Sequence, residues 1–397
     1  MHREDFTMLE NDIVYFDNGA TTLKPKCVID SMVKYYSEYT SNIHRGDYDA
    51  AIKTNKLYDD TRNVVSRFIN SDSDEVIFTS GTTMSINMVV FGYMEKVLNE
   101  GDEVLLTKSE HASNVLPWIK LSEKKGIVIK YMELDNNYAL TVESVRKNIT
   151  DKTKVISIAH VTNVIGDVRD IESIGKICKE KDIYFCVDGA QSVPHMKVYF
   201  KNSNIDFLSF SGHKMCGPTG VGCLIVKKKY LNSMEPLCYG GGMNNFFEGD
   251  NSYELKKGVT KFEAGTPPIA EVIGLREAIL YLEKIGIENI HKHEVELKKY
   301  LVSKLKNISN IKLYNETSNS GILAFNIDGV FAQDSSIYLN NYNIYVRAGN
   351  HCTKMLKDEI GIKNTVRVSM YLYNNKNDID RLVEVLEKSD DIFKIVI

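Results

Sequence analysis

Short, nearly continuous apolar runs rich in Val, Ile and Phe recur along residues 14–230 and alternate with stretches of helical spacing. They predict strands at Val14–Asp17, Glu75–Thr79, Glu103–Thr107, Ile127–Tyr131, Val155–His160, Ile183–Asp188, Phe207–Phe210 and Gly222–Val226, with helices such as Tyr48–Phe68 and Met84–Leu98 between them. Strands that are apolar throughout, rather than alternating, are covered on both faces, so the pattern predicts an α/β fold with a mainly parallel sheet. Ligands of such sheets bind beyond the carboxyl ends of the strands.

After Gly265-Thr266-Pro267-Pro268 the texture changes to one long helical stretch, Ala270–Lys306, with a break expected at Gly286. Strands follow at Ile311–Tyr314, Ile322–Ile327, Ile344–Arg347 and Val366–Met370, with helices at Asp334–Leu339 and Asp378–Lys388. The expected organisation is a large domain over 14–268 and a smaller C-terminal α/β domain over 269–397, joined by the N-terminal segment 1–13. There is no internal repeat or low-complexity linker.

Composition narrows the function. A chain of 397 residues with a net charge of −4 and no block of five or more like charges lacks the basic field of a nucleic-acid binder. The longest apolar stretches, such as Ile86–Met94, are far short of a membrane span. Met1-His2-Arg3-Glu4-Asp5 has no apolar core behind a basic start, so no secretory signal is expected. The seven cysteines are scattered without a Cys-x-x-Cys pair, which argues against a disulfide framework and a cysteine-rich zinc site. A reducing cytoplasm is the expected compartment, and the cysteines other than Cys352 are expected to be packing residues. No metal is expected: His291 and His293, two apart, do not share a helix face and read as solvated surface. Lys227-Lys228-Lys229 likewise reads as a solvated turn.

Three strand-end groups carry the candidate chemistry. Ser80-Gly81-Thr82-Thr83 stands between a strand and a helix, where backbone N–H groups, two hydroxyls and the helix dipole can receive a phosphate, or where a threonine is simply an N-cap. Asp188 ends an apolar strand, placed either to cap a turn or to hold the protonated ring nitrogen of a heteroaromatic cofactor. Lys214 follows the next strand in a glycine-rich turn, either as a surface lysine or as a Schiff-base amine whose pKa burial lowers. Together and in this order they favour pyridoxal 5′-phosphate.

Asp17-Asn18-Gly19-Ala20-Thr21-Thr22, Gly81-Thr82-Thr83, Glu110-His111, Asp188-Gly189-Ala190-Gln191 and Ser211-Gly212-His213-Lys214 resemble the class V aminotransferase family of fold-type-I pyridoxal-phosphate enzymes. The match runs from about Tyr15 to Leu386. The resemblance implies a seven-stranded type of sheet, Lys214 as the Schiff-base lysine, Asp188 on the pyridinium nitrogen and Gln191 on the phenolic oxygen. It implies that His111 stacks on the ring and acts in catalysis, that Thr82, Thr83, Ser211 and His213 bind the phosphate, and that a second subunit of a homodimer completes that site through a segment resembled by Gly265-Thr266.

Arg347-Ala348-Gly349-Asn350-His351-Cys352 resembles the cysteine loop of Suf-type cysteine desulfurases and selenocysteine lyases. From the residues alone, Cys352 is either a small buried thiol or a thiolate favoured by nearby Arg347 and Lys354. Arg367 in Val366-Arg367-Val368 is suited to clamp an α-carboxylate, and the family helps it with an asparagine matched by Asn163. The implied reaction takes L-cysteine to L-alanine with a persulfide on Cys352, supplying sulfur to an acceptor of the Suf type for iron-sulfur cluster assembly or other sulfur transfer. L-selenocysteine cleavage, a class V aminotransferase or carbon-sulfur lyase in which Cys352 is incidental, and a non-catalytic scaffold remain alternatives. Asn350, Thr353-Lys354, Ala112 and Gly19 depart from the family pattern.

Overall fold

The computed structural model describes residues 2–388, so the last part of the expected C-terminal domain, 389–397, lies outside the described residues. After β1 (Val14–Tyr15), strands β2 (Val76–Thr79), β3 (Glu103–Thr107), β4 (Val128–Met132), β5 (Thr153–Ala159), β6 (Tyr184–Asp188), β7 (Phe207–Ser211) and β8 (Gly222–Val226) appear in turn. β2–β8 form one sheet in the order β2-β8-β7-β6-β5-β3-β4. β3 to β7 run parallel, and β8 is antiparallel to both its neighbours. Every residue of β2, β3, β7 and β8 is buried, as continuous apolar strands between helical layers require. One covering helix, Ile171–Glu180, buries Ile171, Ile174, Ile177 and Cys178 on one face, and Asp170 caps it by accepting the Ser173 N–H at 2.9 Å.

A hairpin of β9 (Asn244–Phe247) and β10 (Tyr253–Leu255) follows, unpredicted because its aromatics do not alternate with polar residues; Phe247 is 71% exposed. The long helical stretch breaks at Gly286, whose φ of +91° separates Ile269–Ile285 from Ile287–Leu305. Then come β11 (Ile311–Tyr314), β12 (Ile322–Ile327), β13 (Ile344–Tyr345), β14 (Arg347–Gly349) and β15 (Thr365–Ser369), of which four make an antiparallel sheet in the order β11-β12-β15-β14.

Several expectations are corrected. The Val14 run does not join the central sheet: Val14 pairs with Ile344 and packs with Phe16 against Leu323, Val366 and Val368. The Ile344–Arg347 run splits, because Tyr345 pairs with Tyr15 whereas Arg347 pairs with Arg367. The Met84–Leu98 helix contains a wide turn at Val90–Met94, where the Gly92 carbonyl accepts the Glu235 N–H at 2.8 Å. Cys27 and Cys238 are exposed rather than packed. His291 and His293 are half-buried, and His293 Nε2 bonds the Asn374 carbonyl at 2.9 Å, because their helix carries a second packed edge. Lys227 is half-buried and pairs with Asp206 at 2.8 Å. Among the described residues no helix is long and apolar enough to cross a membrane, and no group of three or more His, Cys, Asp or Glu could hold a metal ion.

Candidate active site

The carboxyl ends of β2, β3, β5, β6 and β7 open on one cavity of about 230 Å³. Its wall takes in Thr82, Thr83, His111, Asn163, Asp188, Gln191, Ser211, His213, Lys214, Cys352 and Arg367, which is every residue given a catalytic, cofactor-binding or substrate-binding role in the sequence except Thr266.

At the end of β2, Gly81 takes a φ of +141°, a conformation closed to side chains, and turns the chain into the helix beginning at Thr82. Ser211 Oγ, at the end of β7, accepts the Thr82 N–H at 2.9 Å and lies 2.7 Å from Thr82 Oγ1. Thr83 Oγ1 lies 2.7 Å from Ser113 Oγ. Hydroxyls and a helix N-terminus thus converge where an anion is stabilised.

Asp188 is 5% exposed, and its Oδ1 accepts the Ala190 N–H at 2.9 Å. Burial pushes its carboxyl up to about 6, against the pull of the Ala190 N–H and Lys214. Gln191 donates through Nε2 to the Gly19 carbonyl at 2.7 Å, and its buried Oε1 has no partner. His111 Nδ1 accepts the Ser113 N–H at 3.1 Å, which leaves the proton of the neutral ring on Nε2. Burial, then Lys214, Arg367 and Arg347, push His111 down to about 4. The carboxylate beside it serves another purpose: Glu110 is paired with the buried Arg169 and accepts the Ala159 N–H at 2.7 Å, tying the β3 and β5 ends together.

Lys214 ends a single tight turn, Gly212–Lys214, that β7 runs into. Burial lowers its amine to about 8; Arg367 and Arg347 add to this and Asp188 opposes it. At that value about a tenth of the amine is neutral at pH 7.

Arg367 on β15 donates through Nη2 to Asp17 Oδ1 at 2.9 Å and through Nη1 to the Asn163 carbonyl at 2.9 Å, while its Nε is buried without a partner. Asp17 was not foreseen as its partner; only its place at the end of an apolar run hinted at it. The Asn163 side chain holds the cysteine loop instead of facing outward with Arg367: Nδ2 donates to the His351 carbonyl at 2.8 Å, and Oδ1 accepts from Thr353 Oγ1 at 3.1 Å. His351 and Cys352 both have left-handed backbones, with φ of +51° and +58°. His351 Nε2 bonds the Thr365 carbonyl at 3.0 Å, the Cys352 carbonyl accepts the Ala112 N–H at 2.9 Å, and Cys352 is exposed on the cavity wall.

Thr266 stands apart. It lines a second cavity of about 600 Å³ with Asn42, His44, Arg45 and Gly241, and Asn42 Nδ2 donates to its hydroxyl at 3.1 Å.

A mainly parallel seven-stranded sheet, with its polar groups gathered at the strand ends and a smaller C-terminal sheet closing over them, places this chain among α/β enzymes of fold type I. Residues 14–382 match the family profile described as Aminotransferase class-V, and the chain belongs to that family. It is 41% identical over 382 residues to a probable cysteine desulfurase of Halalkalibacterium halodurans, covering 96% of this chain and 94% of that one. It is 40% identical over 400 residues to a probable cysteine desulfurase of Ureaplasma parvum, covering 98% of each. Among solved structures, the apo cysteine desulfurase of Thermococcus onnurineus superposes with a TM-score of 0.94 at 35% identity, covering 97% of this chain and 96% of that one. The cysteine desulfurase CsdA of Escherichia coli, as its S-sulfonic acid, superposes with a TM-score of 0.93 at 31% identity, covering 98% of both.

Proposed function

We propose that this chain is a pyridoxal 5′-phosphate-dependent cysteine desulfurase that converts L-cysteine to L-alanine and holds the sulfur as a persulfide on Cys352. The observation that carries this reading is a single cavity in which Lys214 and Asp188 share the wall with an exposed thiol. The residues fit the cofactor. Gly81, Thr82 and Ser211 form a cradle for its phosphate, buried Asp188 suits its ring nitrogen, and the orphaned Gln191 Oε1 marks a buried polar position still to be satisfied. Thr83 and His213 would add to the phosphate cradle, and Thr266, from its separate cavity, would complete that of a second subunit in a homodimer.

Bound there, the cofactor supplies an electrophilic carbonyl carbon and a sink for the electrons of the substrate Cα–H bond. Asp188 would hold the proton on the cofactor's ring nitrogen. Arg367, on the cavity wall, would orient the substrate carboxylate. Lys214 Nζ, as a free amine, would take the Cα proton, a role suited to an amine lowered to about 8. His111, on the cavity wall with its proton on Nε2, would stack on the cofactor's ring.

Cys352 Sγ, as thiolate, attacks the substrate sulfur: an S–S bond forms, the Cβ–S bond breaks, and its electron pair goes to the carbon, which gains a proton as the alanine methyl. In sum, thiol plus L-cysteine gives persulfide plus L-alanine, balanced without an external oxidant. The persulfide then passes to an acceptor protein of the Suf type or a small thiol in a reducing cytoplasm, supplying iron-sulfur cluster assembly or other sulfur transfer.

Incubation with L-cysteine tests this by measuring alanine, sulfide and protein-bound persulfide together. Cys352→Ala is expected to keep the visible cofactor band and form no persulfide, and Lys214→Ala to lose turnover. Persulfide at the wild-type level in Cys352→Ala refutes the assignment, and cleavage confined to L-selenocysteine redirects it.

A further inference from the structure

Lys24 has no part in the mechanism above, yet it is a half-buried cation with no carboxylate partner among the described residues. Burial lowers its amine to about 8, so the fold disfavours its charge. An ammonium carries three donors, and three oxygens meet this one: Thr21 Oγ1 at 3.0 Å, the His213 carbonyl at 3.1 Å and the Thr22 carbonyl in close contact.

The His213 carbonyl is the peptide oxygen immediately before Lys214. Besides Lys24 it accepts the Thr22 N–H at 3.0 Å, Thr21 Oγ1 at 3.1 Å and Thr22 Oγ1 at 3.1 Å, so four donors surround an oxygen with two lone pairs. The same Thr22 Oγ1 accepts the Cys216 N–H at 2.8 Å, on the far side of Lys214. Cys216 itself is held in a left-handed backbone conformation, with φ of +63°. The segment Thr21–Lys24 therefore grips the backbone on both sides of Lys214.

We propose that Lys24 is a positioning residue for Lys214: its ammonium, with Thr21 and Thr22, fixes the His213–Lys214 peptide and so aims the Lys214 amine into the cavity. The inference rests on the reading of Lys214 as the Schiff-base lysine. A misplacement of about 1 Å at such a group costs on the order of 100-fold in rate, so a clamp on its backbone has a measurable effect.

The test uses the purified holoenzyme and three variants: Lys24→Met, Lys24→Arg and Thr21→Val. Visible circular dichroism of the cofactor band reports how the lysine holds the ring, and it is read beside kcat, KM for L-cysteine and thermal melting. Lys24→Met is expected to lower kcat by about 10- to 100-fold with KM within about twofold, and to change the visible dichroism at full cofactor occupancy. Lys24→Arg, which keeps the cation, restores the dichroism and most of kcat. Thr21→Val, which removes one donor and leaves the charge, falls between.

Wild-type dichroism and kcat in Lys24→Met overturn the proposal, as does a loss of kcat that merely tracks lost melting temperature and is not rescued by arginine. If Lys24→Met does not fold, wild-type behaviour of Thr21→Val overturns it. Absence of a reducible Schiff-base band in the wild type refutes the Lys214 reading itself, and the proposal with it.

Discussion

Arg367 Nη2 donates to Asp17 Oδ1 at 2.9 Å, so the arginine best placed for a substrate carboxylate already holds a carboxylate of the chain. Its Nε is left buried and unpartnered, and a methyl on residue 19 would come within 2.9 Å of its Cζ. Gly19 thus gives the guanidinium room, in a position where the family resemblance leads one to expect alanine. Arg367→Lys, which loses the planar fork, is expected to raise KM for L-cysteine by about 10- to 100-fold with a smaller fall in kcat. Gly19→Ala, which displaces the guanidinium, is expected to raise KM in the same sense. Steady-state kinetics check both, and an unchanged KM in either variant refutes the carboxylate role.

Asp188 links the site to stability. Its carboxyl stands at about 6 in the folded protein without cofactor, against an ordinary 3.8, so folding disfavours the charged form. The cost is absent below about pH 4 and fully present above about pH 6, where it amounts to about 3 kcal/mol. Asp188→Asn, which keeps an acceptor for the Ala190 N–H, is expected to raise the melting temperature of the cofactor-free protein at pH 7.5 and leave it unchanged at pH 4. The same substitution is expected to weaken cofactor binding. A cofactor-free variant less stable than the wild type at pH 7.5 contradicts the assignment of cost to this charge.

His351 neighbours the thiol without serving as its base. Burial, then Arg367 and Lys357, push it down to about 2, and its Nε2 is committed to Thr365 at 3.0 Å. It stays neutral throughout the working range. His351→Gln is therefore expected to slow persulfide formation by about 3- to 10-fold through loss of this anchor while leaving the pH midpoints of the rate unmoved. A displaced midpoint in a pH series of single-turnover experiments would return the histidine to a proton-transfer role.

Asn163 spends its amide on the His351 carbonyl and the Thr353 hydroxyl. Asn163→Ala is expected to lower the rate of persulfide formation by about tenfold with KM within about twofold, and to speed amide exchange in the segment containing Cys352. A raised KM with unchanged kcat would instead place the amide on the substrate carboxylate, the role implied by resemblance.

The strand-end residues were legible in the sequence because topology does the work: Asp188 closes one short buried strand, Lys214 ends the turn that follows another, and a mainly parallel sheet delivers such ends to one edge. The pairing of Asp17 with Arg367 was not, because it joins positions 350 apart that no local periodicity connects. The hold of Asn163 on Thr353 was not legible, because the two lie 190 positions apart and the neighbours of Asn163 in sequence say nothing of it. Cys27 and Cys238 were misread because an isolated cysteine carries no signal of the surface on which it lies.

The loop around Cys352 is moored by His351 to Thr365, by its own carbonyl to Ala112, and by Thr353 to Asn163. Moored this way, it makes a berth rather than a swinging arm. On the desulfurase reading proposed above, a sulfur atom loaded there would travel only as far as one side chain rotates, and an acceptor would have to extend its own reactive group to the berth to collect the cargo.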